Sequence, residues 1–138
     1  MTDHSDRAID RSAVSFRPLR PDDEAFLYQL YTTVREDVQA TDWDEAQKTT
    51  FLAMQFRAQH TFYQDNFRQA TFDLVLLKDK PIGRLYLDRR TDEIRIIDIA
   101  LLPQYRNIGL GTVLLKEVKE ETHDVGDTDP SHIYGIPE

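Results

Sequence analysis

The chain has 138 residues, 40% hydrophobic and 30% charged, with 17 Lys+Arg against 25 Asp+Glu and a formal charge of −8. That length supports one domain around one core, residues 1–138, and the hydrophobic fraction excludes a disordered tail. The acidic balance, with no block of Lys or Arg, argues against nucleic acid and anionic membrane as partners, since both need a positive patch. The absence of cysteine excludes disulfides, thiolate zinc sites and cysteine nucleophiles.

Residues 1–12 are polar and mixed in charge, so a flexible start is expected, without the apolar stretch of a secretion signal. No apolar run approaches the roughly 20 residues that cross a bilayer, and a cytoplasmic chain is the expectation. Ala13 to Arg17 reads as a short strand, stopped by Pro18 and Pro21. Asp22, Asp23 and Glu24 then suit the positive end of a helix in which Phe26, Leu27, Leu30, Tyr31 and Val34 recur at helical spacing. A second helix is predicted after an N-cap at Asp42 or Asp44, with Phe51, Leu52, Gln55, Phe56, Gln59, Phe62 and Tyr63 on its inner face.

From Phe72 the period changes. Three apolar runs, FDLVLL, IGRLYLD and EIRIIDIALL, are separated by short polar turns and predict an antiparallel meander. The third run, Glu93 to Leu102, is apolar on both faces apart from Arg95 and Asp98, which predicts a central position in the sheet. After Pro103, a glycine-bearing loop opens a third helix with Leu110, Val113, Leu114 and Val118 at helical spacing. Residues 122–138 read as a loop and one short strand, Ser131 to Ile136.

The loop between the third strand of the meander and the third helix, Arg106-Asn107-Ile108-Gly109-Leu110-Gly111, has the makings of an anion trap. Successive backbone N–H groups and the positive end of a helix converge there, two glycines let a phosphate approach, and Arg106 stands as a cation at the rim. The spacing is neither GxxxxGK[ST] nor GxGxxG, so the common nucleotide fingerprints are absent. The alternative is a helix start that needs glycine for packing.

In this context RNIGLG resembles the phosphate-binding motif of the GNAT superfamily of N-acetyltransferases, and the resemblance covers about residues 14 to 121. It implies an α/β (α+β) acyl-CoA N-acyltransferase fold, with a mixed, mostly antiparallel sheet flanked by helices. It implies acetyl-CoA as donor, no metal, and an amine acceptor attacked directly. Arg106, Asn107, Ile108, Gly109, Leu110, Gly111 and Thr112 would then hold the pyrophosphate. Ile99, Ala100, Leu101 and Leu102 would pair with the pantetheine arm. The family normally continues with a further helix and strands for which residues 122–138 are too short. A shortened chain is therefore expected, open at a sheet edge through which a homodimer could form, and a non-catalytic acyl-CoA-binding module or an inactive truncated remnant is the alternative.

Glu93 and Asp98 are the candidate bases. Without a bulge, strand alternation would send them to opposite faces. For Glu93 the competing reading is a solvated strand-end charge. For Asp98, amid Ile96, Ile97, Ile99 and Ala100, it is an ion pair with an arginine, because an unpaired buried carboxylate is costly. The acids Glu36, Asp37, Asp42, Asp44 and Glu45 around Trp43 suit either a cationic acceptor or a solvated loop with Trp43 over the core. His4, His60, His123 and His132 share no metal-ligand spacing.

Overall fold

The computed structural model describes residues 10–91 and 93–121. The short strand expected at 131–136, and the rest of 122–138, lie outside the described residues. Within the stretch expected to be irregular, Asp10 accepts a hydrogen bond from the Ser12 amide and caps a 3-10 turn, Arg11–Ala13.

Strand β1 (Val14–Pro18) leads through a second 3-10 turn, Pro21–Asp23, into helix α1 (Glu24–Thr33). The buried Asp23 carboxylate accepts two 2.8 Å hydrogen bonds from the Arg17 guanidinium and one of 2.7 Å from the Arg20 amide, which ties β1 to the start of α1. These bonds, from Arg17 above all, hold its carboxyl below the usual range. A one-turn helix that the sequence did not signal, α2 (Glu36–Gln39), precedes the long α3 (Glu45–Asn66). Of the two candidate N-caps it is Asp44 that caps α3, in a reciprocal box with Gln47.

Strands β2 (Thr71–Leu77), β3 (Lys80–Arg89) and β4 (Ile94–Leu101) complete a four-stranded antiparallel sheet of order β1-β2-β3-β4, and α4 (Leu110–Glu121) follows. Lys78 and Asp79, at φ 49° and 69°, make the β2–β3 turn in the backbone hand that matches strand twist. One face of the sheet packs Val75, Ile82, Leu85, Leu87, Ile96 and Ile99 on Leu110, Leu114 and Val118 of α4. The opposite face packs Leu74 and Leu76 on Leu27, Leu52 and Phe56 of α1 and α3. Each of these buried apolar side chains contributes on the order of 1.5–3 kcal/mol.

Two expectations need correction. Among the described residues β4 is an edge strand, not a central one. It is apolar on both sides because helices cover both of its faces: Ile99 and Leu101 sit in the cluster under α4, while Ala100 and Leu102 pack on Leu30 of α1. The inner face of α3 is also narrower than its aromatic content suggests. Leu52, Phe56 and Tyr63 are buried, whereas Phe62 stays 55% exposed, one helical step off that stripe, and packs its ring on Phe67.

The β3–β4 ladder contains a bulge. Tyr86 pairs with Asp98 and Leu87 with Ile96, so Ile97 is the extra residue of β4. Side chains change face there: Ile96 and Ile99 lie under α4, while Ile97 packs on Tyr63 and Tyr86, on the α3 side, where Asp98 is also bound by Tyr63.

Gly83, opposite Leu101, fixes how closely β3 and β4 approach. A Cβ there would lie 2.3 Å from the Ala100 carbonyl oxygen and 2.7 Å from Leu101 Cδ2, the first of which is backbone and cannot turn aside. Gly83→Ala is therefore expected to cost about 1–3 kcal/mol of stability, read as a lower urea midpoint; an unchanged midpoint would show that the two strands have slack.

Candidate functional site

At the C-terminal end of β4 the chain makes a 3-10 turn, Pro103–Tyr105, then runs through Arg106 to Gly109 into α4. Asn107 at φ 60° and Gly109 at φ 91° curl this short link. A side chain at Gly109 would meet nothing within 4 Å, so glycine serves the backbone conformation there and leaves the space before the helix clear. Ile108 anchors the loop by packing on the core beneath α4, and Leu110 and Gly111 are buried at its start, while Asn107, Gly109 and Thr112 are exposed.

The first backbone bond closing α4 runs from the Val113 amide to the Gly109 carbonyl, at 3.0 Å. Among the described residues, the N–H groups from Asn107 through Thr112 have no acceptor. Several donors therefore gather at the positive end of a helix, the arrangement that binds phosphate and pyrophosphate.

Arg106, expected as a cation at the rim, is engaged on two sides. Its Nε donates to the Leu101 carbonyl at 2.8 Å and its Nη2 to Thr33 Oγ1 at 2.8 Å. Partial burial lowers its pKa from the ordinary guanidinium value, with Glu36 opposing the shift. The side chain is a latch joining the loop to the end of β4 and to the last turn of α1. Sequence reasoning missed Thr33, which carries no motif.

Beside the loop lies the outer edge of β4. The Leu102 amide donates to the Ile82 carbonyl at 2.8 Å, so by the two-residue alternation of an antiparallel ladder Ala100 and Leu102 turn their backbone groups to β3. Ile99 and Leu101 turn theirs outward, where the Leu101 carbonyl meets Arg106. Of the four residues expected to line the donor arm, two thus offer backbone hydrogen bonds to a ligand and two are used by the sheet.

The carboxylate candidates have different surroundings. Asp98 is fully buried, and Arg84, 2% exposed, donates to it through Nη2 at 2.7 Å and Nε at 3.2 Å. From α3, Tyr63 donates to the same carboxylate at 3.0 Å, and Gln59 accepts from Arg84 at 3.1 Å. Burial pulls the Arg84 pKa down, but Asp98 together with Tyr86 and Tyr63 outweighs it and the net shift is upward. Next to the pair, Tyr86 is buried with its hydroxyl unpartnered among the described residues, and burial raises its pKa. The opposite charges of Arg84 and Asp98 within adjacent apolar runs were the sequence signal for this pairing. Glu93 precedes β4, half-buried, and accepts from Arg95 at 2.7 Å, with Arg90 at 3.7 Å. The bulge at Ile97 lies between the two acids and removes the simple alternation that would have opposed them.

The acidic loop before α3 is partly neutralised. Arg35 holds Asp37 at 2.9 Å, Lys48 approaches Glu45 at 3.6 Å, and Asp44 is spent on the cap. Trp43 is 40% exposed and stands edge-on to Phe51, beside a cavity of about 460 Å³ that Met54 also lines. No residue of the 106–112 loop lines that cavity. Among the described residues, no group of three or more His, Cys, Asp or Glu could hold a metal, and no helix is long and apolar enough to cross a membrane.

Residues 25–128 match the acetyltransferase (GNAT) family profile. No curated protein sequence matches the chain significantly. Among solved structures, the chain is similar to the PaiA N-acetyltransferase of Thermoplasma acidophilum in complex with coenzyme A. The identity is 15%, the alignment covers 80% of this chain and 72% of that one, and the TM-score is 0.54. It is also similar to an acetyltransferase from Thermus thermophilus, at 15% identity, 82% and 71% coverage and a TM-score of 0.53. At such identities these likenesses speak for the fold.

Proposed function

The chain belongs to the acetyltransferase (GNAT) family, and on that premise we propose that it transfers an acetyl group from acetyl-CoA to a primary amine of a small molecule or peptide by direct attack. The observation that carries the reading is the row of amides from Asn107 through Thr112, unengaged among the described residues and set at the head of α4 beside a strand edge that no described strand covers. That row suits the pyrophosphate. The outward N–H and C=O groups of Ile99 and the N–H of Leu101 suit the amides of a pantetheine arm laid along β4. The complex with coenzyme A among the similar structures supports this choice of ligand.

In the proposed reaction the neutral amine attacks the thioester carbonyl carbon, a C–N bond forms and the C–S bond breaks. The thiolate takes up a proton, and the amine gives one up. Of the two carboxylates, Asp98 is sealed in its ion pair, so the proton acceptor is assigned to the half-buried Glu93. Glu93 lies four residues from the bulge at Ile97, about 13 Å along an extended strand, so the proton reaches it through water or along the acceptor.

Two experiments test these assignments. Asn and Asp are similar in size and both tolerate positive φ, so Gly109→Asn and Gly109→Asp separate charge from backbone strain. By calorimetry the Asp variant is expected to bind acetyl-CoA at least about tenfold more weakly than the Asn variant, because its carboxylate faces the pyrophosphate. Equal affinities would remove the loop from the donor site. With an amine that supports thiol release, Glu93→Gln is expected to lower kcat by about 10²-fold or more while the KM for acetyl-CoA holds. An unchanged kcat would return Glu93 to the role of a strand-end charge.

A further inference from the structure

We propose that the buried Arg84–Asp98 pair, together with Tyr63 and Gln59 of α3, is a positioning device: it fixes the bulge at Ile97 and so sets which backbone groups β4 presents along its open edge. The inference rests on the donor-groove reading and goes beyond it by naming what holds the groove in register.

Sealing two opposite charges inside a protein is rarely a net gain in stability, because each loses its hydration, and apolar replacements of similar volume often serve as well. What the pair does supply is a penalty for wrong register. Asp98 follows directly on the bulge residue and pairs with Tyr86, while Arg84 pairs with Ala100, so the bidentate contact spans the first stretch of ladder beyond the bulge. Migration of the bulge toward Leu101, or a one-residue slip of β4, would carry the Asp98 carboxylate to the opposite face. There it would meet Leu85 of β3 and the apolar side of α4, with Arg84 left behind unpaired.

The α3 contacts make this setting three-dimensional. Tyr63 and Gln59, four residues apart and so on one side of the helix, touch the carboxylate and the guanidinium respectively. The ladder beyond the bulge is thereby fixed to α3 as well as to β3. Its consequence reaches the loop directly, since the register that turns the Leu101 carbonyl outward also gives Arg106 its acceptor. None of the four side chains lies on the outer edge of β4, so their action on a ligand would be indirect.

The test compares two ligands. Free CoA engages both the loop and the strand edge, whereas the adenosine nucleotide half of CoA carries the pyrophosphate but no arm to lie along β4. The double replacement Arg84→Met/Asp98→Leu keeps the buried volume and removes both charges. Tyr63→Phe removes one hydroxyl and leaves the charges in place. By calorimetry the double variant is expected to bind CoA about tenfold more weakly than the wild type, with its affinity for the nucleotide half held within about twofold. Tyr63→Phe should shift CoA affinity in the same direction by a smaller factor, and it decides alone if the double variant does not fold. Equal weakening toward both ligands would mean that the network only supports the fold. Unchanged CoA affinity in a folded variant would overturn the proposal outright. A wild-type chain that binds neither ligand would refute the donor groove itself, and this inference with it.

Discussion

An arginine and an aspartate held together with almost no exposure, on neighbouring strands, constrain most of this structure. Arg84 and Asp98 stand in consecutive apolar runs of the chain, and neither can leave its partner without stranding a charge in the core. That requirement aligns β3 with β4 beyond the bulge and brings α3 down onto the sheet through Tyr63 and Gln59. It also determines that the backbone groups of Ile99 and Leu101 turn outward at the edge where the loop begins.

The loop inherits this geometry. Arg106 binds the Leu101 carbonyl, so the position of the link depends on the register of the strand before it, and Thr33 adds a tie to α1. Positive φ at Asn107 and Gly109 then aims the chain into α4, while Ile108, Leu110 and Leu114 hold the helix against the sheet. The amides that remain without acceptors are a product of these constraints: a helix must begin here, and no side chain caps it. Shape and unsatisfied donors together are what the proposed anion site rests on, and its proposed extension runs along the edge of β4.

The sequence carried the periodic parts of this architecture well. Apolar runs bounded by polar turns, FDLVLL and IGRLYLD, located β2 and β3, and the spacing of Leu110, Leu114 and Val118 located α4, because burial of one side of a helix writes itself into a repeat. The RNIGLG string drew attention to the loop before α4 and to the family. What stayed hidden depends on contacts between distant residues. An apolar β4 reads the same whether strands flank it or helices cover it, so its place at the edge among the described residues was misjudged. The bulge at Ile97 leaves no mark in composition. The contacts of Arg106 stayed hidden for a similar reason, since its charge marked it as a rim cation, while the carbonyl and hydroxyl it binds come from Leu101 and Thr33.

The most direct test of the account is a titration of isotope-labelled protein with CoA, followed amide by amide. Binding at the loop and strand edge predicts that the shifted N–H signals centre on Asn107 through Thr112, with Ile99 and Leu101 as a second group. Residues around the Trp43 cavity should stay in place. Shifts centred on that cavity, or on the β3–β4 turn near Arg90, would contradict the account, as would a folded chain whose loop amides do not respond.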